Sequence, residues 1–498
     1  MTSENKWPLY ISIVLIIYAI IILVFVIRGA LKAKDIRDYA VGNMGFPSWI
    51  VGLSLAASMT SAATFVINPG FVSLYGISGI ISMAIVMPTA AFLSLIIFTK
   101  GFAKYGQLVK ANTMSQWIGN RFENKSYKLF FAFIALLLIT FIVLINVGMT
   151  QVIAKSLDAD PFYVLLGLTI FVFGYMMFGG ANSMVYTNTI QAIIMFIVAL
   201  MLIFSGMDLF DEGISGFLGK LKNIDPNLVK TTNTESFLFR DYFEIIFCQI
   251  VVGVAIVCQP HIMTKSLMLK NPNKTNAYLF FGIFAMAIFF FIVVAGLYAR
   301  IMFPDLTVDG KTITMDEIIP TYVIKRFSAL AGMVVVVGLI SAGLSTLEGL
   351  IQSLSITVTS DILEPIFGDS ISKNGMLINK FVIVLLAVVS FYFSWNQIKS
   401  PNLSVGIFGQ NGVYGYFSAA FVPILFGTFV KNVKVSTVFT ASIVAIVVHF
   451  GIYYLKITSY MKGAVGNPGV SAAIAILTSL LVAILLHQFN KKKIKTEA

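Results

Sequence analysis

LISAGLSTLEGLIQSLSITVTSD, residues 339–361, sets six polar side chains into an otherwise apolar run. Ser341, Ser345, Glu348, Gln352, Ser355 and Thr359 follow one another at steps of four, three, four, three and four. At about 100° of turn per residue these positions share one helical face. Residues 329–340 upstream are almost wholly apolar and carry no turn signal, so the run reads as one long membrane helix with Glu348 well inside it. An acidic residue at mid-membrane costs about 2.5–3.5 kcal/mol on insertion scales, so it needs a partner or a wet cavity, and by default it marks an ion or solute path. The competing reading is structural: hydroxyls bonded back to carbonyls four residues earlier hold helices together with no ligand. Six polar groups on one face, one of them a carboxylate, favour the path.

The rest of the chain sets the same context. Of its 498 residues 58% are hydrophobic and 11% charged, against roughly 25% charged in soluble domains, which makes an all-α polytopic membrane protein whose partner is the lipid bilayer. Windows of about twenty residues give thirteen spans, near 8–30, 46–69, 76–99, 129–154, 161–179, 183–206, 242–263, 277–303, 328–360, 376–396, 403–429, 435–455 and 469–488. The net charge of +12 requires no nucleic acid, because Lys and Arg gather in the short loops. With the N-terminus outside, the inner segments hold 21 of the 34 Lys and Arg, the stretch 265–274 and the KKKIK tail among them, which puts the C-terminus in the cytoplasm of a cell membrane. The first span has no small-residue cleavage site and reads as a retained helix.

Two spans carry signs of interruption. FPSWIVGLSLAASMTSAATFVINPG, residues 46–70, crowds Ala, Ser and Thr into mid-membrane, where an unwound turn would expose carbonyls able to bind a cation; close helix packing is the other reading. Near 403–429, Gly406, Gly409, Gly412 and Gly415 recur every three residues ahead of Pro423, as a hinge or as a packing seam. Other chemistries find no support. GFAKYGQ, residues 101–107, lacks the Lys-Ser/Thr of a phosphate loop, and His261, His449 and His487 form no metal-binding pattern. Cys248 and Cys258 are not a metal pair, and no enzyme motif is present.

Four local patterns resemble the solute:sodium symporters, carriers of sugars, proline, pantothenate, sialic acid and monocarboxylates. They are ASMTSAATFVINPGFVSLYG in the second span, TMSQWIGNRF, GGANSMVYTNTIQ entering the sixth, and AGLSTLEGLIQSLS followed by SDI in the ninth. The resemblance covers nearly the whole chain and implies a LeuT-type fold, with inverted five-helix repeats over 46–206 and 242–429, an extra N-terminal helix at 8–30 and two C-terminal helices at 435–488. It implies sodium as coupling ion, held by the carbonyls of Ala57, Thr60 and Ala342 and the hydroxyls of Ser345 and Thr346. Neutral oxygens of this kind suit a desolvated hard cation. Members with a second sodium carry an acid in the sixth span where this chain has Asn188, and a hydroxyl where it has Glu348. That exchange leaves three readings open: a preserved second cation site, a proton-binding Glu348, or a structural hydrogen bond between Glu348 and Asn188.

Phe141 stands where sialic acid carriers place an Arg, and the CQPHI run, residues 258–262, is similar to the proline, pantothenate and monocarboxylate branches. The small-molecule solute expected is therefore a small carboxylate, met by Ser61 and Thr64 with Asn146 across the pocket. A proline-like amino acid or a sugar is the alternative. A transporter-like membrane sensor is the alternative of another class, disfavoured because the chain stops ten residues after its last span, at Ala498. No obligate protein partner is evident.

Overall fold

Apolar helices make up almost all of the computed structural model, which describes residues 7–31, 35–42, 46–109, 111–269, 274–308, 310–368, 373–400, 404–463 and 465–497. Among the described residues ten helices are long and apolar enough to cross a membrane, and two bent pairs bring the number to twelve. In chain order they are α1 Trp7–Ala30, α2 (Ser48–Met59 and Ala63–Tyr75), α3 Ile77–Phe102 and α4 Lys125–Leu157. After the short α5 Pro161–Met176 come α6 Ala181–Phe210, α7 (Phe243–Ile256 and Pro260–Met268), α8 Thr275–Met302 and α9 Ala329–Phe367. α10 Gly375–Lys399, α11 Val405–Phe429, α12 Val435–Tyr454 and α13 Pro468–Lys491 complete the set. The thirteenth expected span is α5, whose 16 residues reach only about 24 Å at 1.5 Å per residue, short of the roughly 30 Å hydrocarbon core. A two-stranded antiparallel pair, Thr307–Val308 with Lys311–Thr312, is the sheet between α8 and α9.

Polar caps punctuate these helices. Asn124 accepts from the Tyr127 N–H at the start of α4, and Asp160 accepts from the Phe162 N–H ahead of α5, where Pro161 takes the first turn. Residues 101–107 fall inside the helix that continues α3, so no loop exists there to cradle a phosphate.

The breaks in α2 and α7 are the features that position the site. In α2 the chain bends by 57° at residues 60–62. The Ala63 N–H bonds to the Ser61 hydroxyl (3.1 Å) and the Thr64 N–H to the Ser61 carbonyl (2.9 Å), so neither reaches back four residues to Met59 or Thr60. The carbonyl of Thr60 loses its helical partner as a result. In α7 the bend is 58°, between Ile256 and Pro260. Pro260 forces the residue before it out of the helical region, and Gln259 is extended at φ −87° and ψ 144°.

The second interruption therefore lies in α7, where the sequence reading had an unbroken span, while α11 runs continuously from Val405 to Phe429 with Pro423 inside it. The glycines of α11 form a packing seam. A Cβ on Gly409 would come within 2.4 Å of Leu144, and one on Gly412 within 2.2 Å of Thr140, both on α4. The most apolar window of α11 is 89% buried and that of α9 is 78% buried, against 22% for α1, so α9 and α11 are central and α1 is peripheral. The first half of α2 packs on α6 and α8, and α9 packs on α4 and α6.

Candidate functional site

Along α9 the polar stripe meets a different element at nearly every step. Ser341 shares a hydrogen bond with Tyr18 of α1 (2.7 Å), Gln352 donates to the Tyr39 carbonyl (2.6 Å), and Thr359 donates to Asn379 of α10 (3.3 Å). Bonding back to the helix's own carbonyls occurs as well: Ser341 also donates to Val337 (2.7 Å) and Ser355 to Gln352 (3.2 Å). The stripe thus combines helix-to-helix contacts with the local bonding of the structural reading.

At the level of the α2 break, the Ser345 hydroxyl donates to the Ala57 carbonyl (2.8 Å) and the Ala342 carbonyl (3.1 Å). The Thr346 hydroxyl lies 3.5 Å from the Ala57 carbonyl, 3.2 Å from that of Ser58 and 3.4 Å from that of Ala342. Four of the five expected sodium-ligand positions, Ala57, Ala342, Ser345 and Thr346, are in direct contact, and Thr60 stands at the adjoining break with its hydroxyl turned back to Ala56 (2.6 Å). Neutral oxygens from two helices converge, as a dehydrated sodium ion needs.

Two residues further along α9, Glu348 enters a second polar cluster. Its Oε1 accepts from the Tyr175 hydroxyl (2.7 Å) and Gln191 Nε2 (3.3 Å), and its Oε2 accepts from the Thr187 hydroxyl (2.7 Å). The Asn188 amide is oriented by its neighbours. Turned so that every contact joins a donor to an acceptor, its Nδ2 donates to Glu348 Oε2 (3.1 Å) and Gln191 Oε1 (3.0 Å), and its Oδ1 accepts from Ser58 (2.8 Å) and Lys265 Nζ (3.1 Å). Lys265 also donates to the Ser54 hydroxyl (2.7 Å). By sequence Lys265 falls among the loop cations, but it is 1% exposed and packs inside the protein on α7. Span-end lysines look alike in sequence, so nothing local distinguished it. Tyr175 and Thr187 were missed for the same reason, since their only distinction is the carboxylate they meet.

A small cavity opens where both broken helices face α11. Ser61 and Thr64 line it, joined by Asn68, Gln259, His261 and Gln410. Asn146 is buried on α4 and does not line the cavity. Phe141 does, with its ring centroid 6.3 Å from that of His261. Gln259 Oε1 and His261 Nδ1 are buried without a hydrogen-bond partner, which leaves them free for a polar ligand. No charged side chain lines the cavity among the described residues. The second halves of α2 and α7 both begin at this cavity and turn positive dipole ends toward it. Their first N–H groups are already bonded, those of Ala63, Thr64 and Phe65 to Ser61 and those of Ile262 and Met263 to the Gln259 carbonyl.

Residues 39–459 match the model of the sodium:solute symporter family. The chain is 25% identical over 429 residues to the sodium/pantothenate symporter of Haemophilus influenzae, covering 82% of this chain and 84% of that one. It is 23% identical over 483 residues to the sodium/pantothenate symporter of Escherichia coli, covering 94% and 93%. A sodium/proline symporter of Staphylococcus aureus is 22% identical over 509 residues, covering 98% and 94%. Among solved structures, the substrate-bound outward-open state of a Na+-coupled sialic acid symporter superposes with a TM-score of 0.75 at 18% identity, covering 95% of this chain and 98% of that one.

Proposed function

The chain belongs to the sodium:solute symporter family, and from that premise we propose that the solute carried by its sodium-coupled symport is a small carboxylate, of pantothenate or monocarboxylate type. The observation that carries this reading is the cavity at the two helix breaks, where two helix N-termini meet Ser61, Thr64, Gln259 and His261 with no acidic side chain among them. Partial positive charge at the helix ends and neutral donors suit a carboxylate without a bidentate arginine. The likeness to two pantothenate symporters supports the same choice. Likeness to proline symporters favours a second reading, a small amino acid, whose carboxylate would use the same groups.

Sodium in this reading sits between Ala57, Thr60, Ala342, Ser345 and Thr346, next to the solute, so that both helices close on ion and solute together. The inverted repeats run over 46–206 and 242–429; in support, the first helix of each is broken, by 57° and 58°. The N-terminus lies outside and the C-terminus in the cytoplasm, in line with the Lys and Arg bias of the loops.

Uptake by proteoliposomes tests the solute. Labelled pantothenate should enter under an inward sodium gradient, and unlabelled pantothenate, lactate, acetate or proline should compete. Strong competition by glucose or galactose with none from the acids would sink the proposal.

A further inference from the structure

We propose that Lys265 is the fixed counter-cation of Glu348, held across the Asn188 amide, and that this closed network stands in place of a second coupling ion, leaving one sodium ion per solute. The inference rests on the symport reading and deepens it by fixing the ion count.

A carboxylate offers about four lone-pair sites. In Glu348 all four are taken by protein donors: Tyr175 and Gln191 on Oε1, Thr187 and Asn188 on Oε2. No acceptor position is left for a cation. Four groups able to donate converge on it, as an ionised carboxylate needs, and Glu348 is 1% exposed, so such a charge must be balanced inside the protein. The Asn188 amide supplies the connection. One of its N–H groups faces the carboxylate and the other Gln191 Oε1, while its oxygen faces the Lys265 ammonium, an order that polarises the bonds from cation to acid in the same sense. Lys265 adds Ser54 of α2 as a second acceptor, so one cation ties α7, α6 and α2 to the acid on α9. Asparagine is the residue this arrangement needs. An aspartate at 188 would set a second carboxylate oxygen against Glu348 and leave the cluster with one negative charge in excess.

Binding of radioactive sodium to the purified protein counts ions without knowledge of the solute. Wild type is expected to bind one ion per chain, and the double variant Lys265→Met with Glu348→Gln one as well. Lys265→Met alone, with its acid unbalanced, is expected to admit a second ion beside Asn188. Two ions in wild type, or an unchanged count in Lys265→Met, overturns the proposal; no sodium binding at all breaks the symport reading beneath it. Melting points supply an independent readout. Each single variant should lose stability and the double variant should regain most of the loss, because removing both charges leaves none uncompensated. Additive losses overturn the pairing. If a single variant cannot be purified, recovery of folded protein on adding the second substitution is the same measurement, and failure to recover counts against the pairing.

Discussion

Ser345 and Thr346 illustrate how much one residue position carries in this protein. Both hydroxyls bridge from α9 to the carbonyls freed at the α2 break, and both would turn their lone pairs to a bound cation. Replacing them together by Ala removes the two proposed side-chain ligands while leaving the carbonyls. The sodium concentration for half-maximal uptake is expected to rise at least about tenfold, equivalent to about 1.4 kcal/mol of binding. Uptake measured against sodium at fixed ionic strength checks this, and unchanged activity with potassium in place of sodium would show the site to be elsewhere. The stripe on which these hydroxyls lie was legible as a period of three and four residues. Which partner each of its members meets was not, because the partners come from α1, α2, α5, α6 and α10.

Among elements, the segment between α8 and α9 docks on the core through charged and polar groups outside the membrane spans. Glu317 pairs with Lys155 at the end of α4 (2.9 Å), and Thr314 and Glu317 form a capping box. Burial pushes the neighbouring Asp316 carboxyl up to about 6 from its ordinary 3.8, against hydrogen bonds from Val405 and Ser404 at the start of α11. The docked state therefore binds the proton more tightly than the undocked one. Its proton-linked stability is full below pH 3.8 and is lost as pH rises through about 6. Hydrogen-exchange protection of residues 304–326, corrected for intrinsic rates, should be higher at pH 4 than at pH 7. Despite burial, Lys155 and Thr314 hold Glu317 below its ordinary range, so its contribution is lost as pH falls and opposes this slope. Asp316→Asn should therefore abolish or reverse the difference; an undiminished difference in the variant would assign it to another group.

For the whole molecule, sodium-coupled symport requires that ion and solute sites open to one side at a time, and the two helices broken by nearly the same angle are the joints we propose for it. Uptake into proteoliposomes is expected to need an inward sodium gradient and to survive collapse of the pH gradient, since the proposed ion site consists of neutral oxygens that do not titrate. Accumulation driven by a proton gradient alone, with no sodium present, would contradict this.

Sequence alone determined the membrane class, the apolar segments, the break in α2 and the buried stripe of α9, because hydropathy and helical period are properties of neighbours along the chain. The break in α7 was also written locally, in Gln259–Pro260, but a continuous apolar run on either side concealed it. Tertiary structure alone decided what surrounds Glu348 and Lys265. One stood out as an acid inside a span, while the other passed for a loop cation at a span's end. A buried charge is defined by what surrounds it in space, and here the surroundings come from α2, α5, α6, α7 and α9 at once.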